Sequence, residues 1–372
     1  MFRFSDFVGN APTVLQLRRA LASGRLPSSI LLSGPQGSGK YTLALMLTMA
    51  LLCEQQPREA HADGDLADFC GTCKNCTRIA EAMNLSALID AAVEAREELR
   101  ETDKKETRVL IQTHPDVLVL PPDPPQLLVK LGQVRSLIHS IYTLPGEAKH
   151  RVYLFPSAAF MKEAANSLLK VLEEPPAYAH IILMAEHPGE LLPTIRSRCA
   201  PVRLGSLSLE EVEHLLATQK PEVKPAQRAL IARLSQGAVG KALGFDLEGY
   251  LAARADAMVL LRSAVLESEH TDLFKTTETY RAGADGQQKT QAMLSALAGL
   301  LEDLLLLRSG VPDRIRNVDI RRELDTLADS VTFDWLENAL RGMDQVISGM
   351  RRNLLRSLSL DAFAESMSSS RR

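Results

Sequence analysis

The chain has 372 residues, enough for two or three domains at roughly 150 residues each. Hydrophobic residues make up 45% and charged residues 24%, a balance that excludes a wholly disordered chain. Lysine and arginine number 43 against 46 acidic residues, and a formal charge of −3 excludes a global positive field that holds DNA by phosphate neutralisation alone.

In chain order, Val14–Ala22 has helical spacing and stops at Ser23-Gly24. Ile30-Leu31-Leu32 reads as a short buried parallel strand entering a glycine-rich turn, and Tyr41–Cys53 as the helix after it. Strand signals follow at Asp116–Leu120, Leu127–Val129, Val152–Phe155 and Ile181–Ala185, with helical patterns such as Gln133–Tyr142 and Lys162–Glu173 between them. Strands that alternate with helices imply a mostly parallel sheet covered on both faces, complete by Val202-Arg203-Leu204. Beyond it, Ser208–Thr218 and Pro225–Ser235 read as two short helices. From Gly249 to Met367 the pattern is all helical, with long amphipathic runs at Gln291–Arg308 and Phe333–Met350.

Between Glu94 and Arg108, 11 of 15 residues are charged, and Glu101 and Lys105 are spaced for an i,i+4 pair. This stretch reads as a solvated helix or as a docking element for another protein, and the sequence leaves both open. Met1–Asn10 lacks the apolar core of a secretory signal, and no charge-free stretch reaches the ~18 apolar residues of a membrane helix. A cytoplasmic location is expected.

Two motifs carry chemistry. Gly34-Pro-Gln-Gly37-Ser-Gly39-Lys40 lies between a strand and a helix, where glycines let backbone N–H groups converge on phosphate at a helix N-terminus. Lys40 is placed to reach the outer phosphates, but Tyr41 stands where a magnesium-binding Ser or Thr belongs. Thr42 comes one residue late, roughly 100° around the helix. Occupancy of the loop by ATP, by ADP or by nothing stays open. Cys53, Cys70, Cys73 and Cys76 supply four thiolates, the number of a closed tetrahedral structural zinc site, with no position left for a catalytic water. The Cys-x2-Cys-x2-Cys spacing reads as metal ligation in a reducing compartment rather than a disulfide framework.

With these motifs stand Phe7-Val8-Gly9, His114-Pro115-Asp116, Asn166-Ser-Leu-Leu-Lys170, Leu172-Glu-Glu-Pro-Pro176 and Ser197-Arg198-Cys199. In this order they resemble the bacterial clamp-loader branch of the AAA+ ATPases over essentially the whole chain. The resemblance implies an α/β AAA+ P-loop domain at 1–204, with the zinc module at 53–76 and the charged insertion at about 77–112. A small helical lid domain at 205–248 and an all-α collar domain at 249–372 would follow. It also implies a hetero-pentamer with gamma/tau motor subunits and a delta subunit of the DNA polymerase III clamp loader. The partners of that assembly are a sliding clamp and primed DNA, and no membrane.

Motors of this family carry an Asp-Glu pair after the strand matching Val152–Phe155, to hold magnesium and polarise water. This chain has Pro156-Ser157-Ala158-Ala159 there, Met184-Ala185-Glu186 in place of a threonine sensor, and Gly240 in place of a phosphate-sensing arginine. Arg198 is present, matching the arginine that in this family enters a neighbour's ATP site; Arg196 carries no such expectation. Lost cis machinery with a retained trans finger resembles the delta prime branch, a non-motor stator without ATPase of its own. A gamma/tau-type motor and a stand-alone P-loop nucleotide kinase are the alternatives.

Overall fold

The computed structural model describes residues 3–266, 271–280, 284–350 and 356–369. Residues 267–270, 281–283 and 351–355 of the expected helical run, and the Lys105 side chain, lie outside the described residues. The chain divides into two compact units, Met1–Glu211 with Gly237–Lys241, and Val212–Gln236 with Ala242–Arg372.

The first unit opens with α1 (Ala11–Ala22), β1 (Ser29–Ser33) and α2 (Lys40–Leu52). A short ribbon of β2 (Arg58–Glu59) and β3 (Leu66–Ala67) leads to α3 (Lys74–Ala80), α4 (Leu85–Glu97) and α5 (Glu101–Glu106). Then come β4 (Ile111–His114), β5 (Val117–Val119), α6 (Leu131–Ile141), β6 (Arg151–Phe155), α7 (Lys162–Glu173), β7 (Ala179–Ala185), α8 (Pro193–Arg196) and β8 (Ala200–Arg203). The six-stranded sheet runs β4-β5-β6-β7-β1-β8, parallel except for β4.

Side-chain alternation explains how the sheet buries both faces. Ile30, Leu32, Val152, Leu154, Ile182 and Met184 pack on one side with α1, α2 and the cysteine segment. Their neighbours Leu31, Tyr153, Phe155, Ile181 and Leu183 pack on the other with α6 and α7. α2 is apolar all round because it is enclosed, with Leu43 to Ala50 buried without a break. Leu127–Val129, expected as a strand, forms only isolated bridges, Asp123 with Leu128 and Val129 with Phe160. Leu127 adopts a positive φ of 54°, which no extended ladder accommodates. The antiparallel β4 and the β2–β3 ribbon were not expected; both are too short to show a period.

The second unit is helical among its described residues. After α9 (Leu209–Gln219), α10 (Pro225–Ser235) and α11 (Val239–Leu243), whose residues 239–241 belong to the first unit, come α12 (Leu247–Leu266), α13 (Thr271–Glu278), α14 (Ala284–Arg308), α15 (Arg321–Asp329), α16 (Phe333–Met350) and α17 (Arg356–Ser369). Leu260, Leu261, Leu297, Leu300, Leu304 and Leu324 share one core there. Within α14, Gln288–Arg308 is long and apolar enough to cross a membrane, the one such window among the described residues. Its leucines serve this core, and Asp303 within it is fully buried, accepting the backbone amides of Arg316 (2.7 Å) and Asn317 (2.9 Å).

Candidate functional site

β1 lies between β7 and β8, so the glycine-rich loop leaves the carboxyl end of the sheet where connections run to both sides. Glycine is obligatory at 34, since a Cβ there would stand 2.4 Å from the Leu204 carbonyl oxygen. Gly39 takes the left-handed conformation (φ 86°) that turns the chain into α2 at Lys40. The fold therefore builds the loop the sequence announced, and brings Gly34, Gly37, Gly39 and Lys40 together.

Several of its polar groups find partners within the chain, although the buried hydroxyl of Ser38 finds none among the described residues. The Lys40 ammonium donates to the carbonyls of Gly34 (2.6 Å) and Pro35 (2.8 Å). Burial lowers the pKa of Lys40, and the charges of Glu186 and Glu190 oppose that shift. The carbonyl of Gly37 accepts the amide of Gly240 at 2.8 Å, and a Cβ at 37 would stand 3.2 Å from that of Ala238. Residues 237–241 thus rest on the loop. Tyr41 points elsewhere: its hydroxyl donates to the Ala82 carbonyl at 2.8 Å, and burial pushes its pKa well up. Thr42 is half-buried in the first turn of α2. A cavity of about 490 Å³ opens beside the loop, with Ser33, Gly34, Glu186, His187 and Arg203 in its wall.

Cys53 ends α2, Cys70 and Cys73 follow β3, and Cys76 lies on α3; all four sulfurs fall within 4.8 Å of one another. Sulfurs sharing a tetrahedral zinc at about 2.3 Å would stand about 3.8 Å apart, so the cluster is compatible with a metal site. Backbone amides aim at the sulfurs, from Gln56 and Cys70 onto Cys53 (both 3.3 Å), and from Thr72 (3.4 Å) and Cys73 (3.2 Å) onto Cys70. Burial raises the Cys70 thiol, but the amides of Thr72 and Cys73 outweigh it and bring the pKa down to about 6. Burial raises Cys53 and, far more, Cys76. An N–H donor favours thiolate over thiol, which is the form a metal takes.

A chain of buried polar groups fastens this segment to the sheet; the sequence singles out His114 and Asp116 but not the partners that they meet. Asn75, between two of the cysteines, donates to the Leu52 carbonyl at 2.8 Å, and its side-chain oxygen lies 3.0 Å from His114 Nε2. His114 Nδ1 accepts the Asp116 amide at 3.1 Å, so the neutral ring carries its proton on Nε2. Burial lowers the pKa of His114 and keeps it neutral. Asp116, 1% exposed, accepts the amides of Gly146 (2.6 Å), Glu147 (2.8 Å) and Ala148 (2.8 Å). Glu147 in turn pairs with Lys74 (2.7 Å) and Arg78 (3.1 Å) of α3. The signal was the triplet His114-Pro115-Asp116, whose partners lie ~30–40 residues away on either side and carry no motif.

The charged insertion is not wholly solvated. Arg96 is buried and donates to the fully buried Asp123 at 2.5 Å, with Lys130 at 3.4 Å and Arg108 at 4.0 Å from the other oxygen. From Glu97 to Asp103 the residues are exposed, and the half-buried Lys104 pairs with Glu97 (3.3 Å) and Glu101 (3.1 Å).

Arg198 stands on a separate element, the turn between α8 and β8, anchored by the buried side chains of Ile195 and Cys199. Its guanidinium is partly exposed and donates to the Thr194 carbonyl (2.7 Å) and to Glu173 Oε1 (2.5 Å). Arg196 is exposed as well.

Sequence relatives of the chain are subunits of DNA polymerase III. A family model described as DNA polymerase III, delta subunit, matches residues 9–208. The delta' subunit of DNA polymerase III from Escherichia coli K12 is 28% identical over 354 residues, covering 92% of this chain and 91% of its own. The tau subunit from the same organism is 27% identical over 306 residues, covering 81% of this chain but 36% of its own length. A gamma subunit-related protein of DNA polymerase III from Thermotoga maritima aligns with 97% of this chain and 100% of its own, with a TM-score of 0.40 and 19% identity.

Proposed function

The chain belongs to the DNA polymerase III delta subunit family, within the clamp loaders and resembling delta', and from that membership we propose that it is a non-motor subunit of the loader. In this reading it helps place a sliding clamp on primed DNA, in a cytoplasmic hetero-pentamer with gamma/tau-type motors and a delta subunit. Arg198 completes a motor neighbour's ATP site. The division into 1–204, 205–248 and 249–372 belongs to the same reading, with the last segment joining the collar.

The observation that carries it is the end of β6. A motor needs two carboxylates just beyond this strand to hold magnesium and orient water. Here the chain runs Phe155-Pro156-Ser157-Ala158-Ala159, and the amide of Ala159 donates to Ser157 Oγ at 3.1 Å. The turn offers a hydroxyl and methyl groups to a place where the chemistry requires charge. Two further features point the same way. Tyr41 has its hydroxyl on Ala82, and Gly240 brings an amide rather than a guanidinium to Gly37.

Arginine suits the retained role, because a guanidinium stays charged and forks onto two phosphate oxygens. The four cysteines fit a structural zinc: the donor set is all sulfur, the ligands are largely buried, and amides turn toward two of the sulfurs. Such an ion would hold the segment 53–76 in shape and take no part in phosphate chemistry.

The test is Arg198→Ala in a reconstituted loader, with clamp- and DNA-stimulated ATP turnover as the readout. Assembly and metal content should be unchanged while turnover falls; one site loses the ~10³–10⁵ that a trans arginine supplies, and the drop across the whole loader is smaller because the other sites keep their own fingers. Arg198→Lys should rescue poorly, and Arg196→Ala should cost little. Equal rates for wild type and Arg198→Ala, with assembly verified, refute the reading.

A further inference from the structure

Arg198 does not point freely into solvent. One nitrogen of its fork lies 2.5 Å from Glu173 Oε1 and the other 2.7 Å from the Thr194 carbonyl. Glu173 is the last residue of α7, and Glu174 and Pro175-Pro176 follow it. A carboxylate at a helix C-terminus faces the negative end of the macrodipole, so helix stability does not account for its position. Both side chains keep solvent contact, 32% for Arg198 and 50% for Glu173, so neither is packed for the sake of a core.

Charge decides what the pair does. A guanidinium stabilises a transferring phosphoryl group by bringing net positive charge and two free N–H donors to its oxygens. Beside Glu173 the net charge of the pair is zero, and one N–H of each terminal nitrogen is engaged within the chain, so the fork keeps other donors but is held in this orientation. We propose that Glu173 is a positioning residue that parks Arg198, and that the finger must exchange this carboxylate for the neighbour's phosphate before it can act. The inference rests on the reading of Arg198 given above. A parked fraction lowers the effective strength of the finger in proportion to its population. Exposed ion pairs of this kind shift such populations by about 1.5- to 5-fold.

The experiment uses loaders whose motor subunits carry alanine at their own finger arginines, so that Arg198 is the one finger in the assembly. Glu173→Gln should raise ATP turnover by about 1.5- to 5-fold and tighten binding of ADP with aluminium fluoride by a similar factor. Glu173→Asp, which keeps the charge, should stay near wild type, and Glu173→Gln in the Arg198→Ala background should change nothing. Turnover that is unchanged or reduced by Glu173→Gln, or a gain that persists without Arg198, overturns the parking role. If Arg198→Ala alone leaves turnover intact, the finger reading itself has failed, and the parking role falls with it. Stability of the free subunit serves as the control, because a merely structural carboxylate would lower the melting temperature without altering analogue binding.

Discussion

Asp116→Asn isolates the buried network that fastens the cysteine segment to the sheet. The wild-type carboxylate uses both oxygens: Oδ1 takes the Gly146 amide and Arg151 (3.4 Å), and Oδ2 takes the amides of Glu147 and Ala148. Asparagine matches the shape but must turn its NH2 toward one of these pairs. In either orientation two donors then face a donor, on a turn where Gly146 and Glu147 are exposed and water takes up part of the loss. At the low end of about 1–3 kcal/mol per unsatisfied group the cost is about 2 kcal/mol. The pH dependence adds a second constraint. Burial by itself raises the Asp116 pKa, but the three amides and Arg151 overcome it, and the folded value lies below the ordinary one. A depressed carboxylate contributes its full stability above the unfolded pKa, about 3.9, and loses it as pH falls through the folded value. Urea unfolding at pH 7 should therefore show the whole deficit, and the gap between wild type and variant should narrow below about pH 4. A deficit under about 1 kcal/mol, or one that does not change with acid, would refute the assigned network.

The isolated subunit should hold one zinc, and Cys76→Ser should weaken its binding and lower stability by about 2.5–4 kcal/mol, one ligand's quarter of the ~10–16 kcal/mol of a structural site; elemental analysis after dialysis against a chelator and calorimetry check both. Asp123→Ala should cost about 3–5 kcal/mol because Arg96, Arg108 and Lys130 lose a shared counter-ion. Arg96→Ala should cost less, since two cations remain beside the acid, and the reverse order in urea melts would contradict the assignment. Magnesium-dependent ATP turnover by the purified chain should not exceed that of Lys40→Ala, and turnover well above that control would favour a motor.

Local chemistry wrote much of this protein plainly. Short unbroken apolar runs announced β6 and β7, since each strand buries both faces and tolerates few polar residues. Lys162–Glu173, Pro225–Ser235 and Phe333–Met350 were legible to the residue, because proline or a switch in period marks where a helix starts or stops. The phosphate loop and the cysteines were equally visible, as the loop and three of the four cysteines depend on neighbours a few residues apart. Other features were decided by contacts between distant segments. Leu127–Val129 has strand composition but bends at Leu127, so that the buried Asp123 can meet Arg96, Arg108 and Lys130. The role of Asn75 appears only once His114 is brought beside it, and that of Glu173 only once α7 and α8 are packed together. Spacing within a chain fixes which groups can form a loop, a turn or a ligand set. Which buried charge meets which partner depends on tertiary proximity, and the cost of leaving such a group unpaired makes that choice specific.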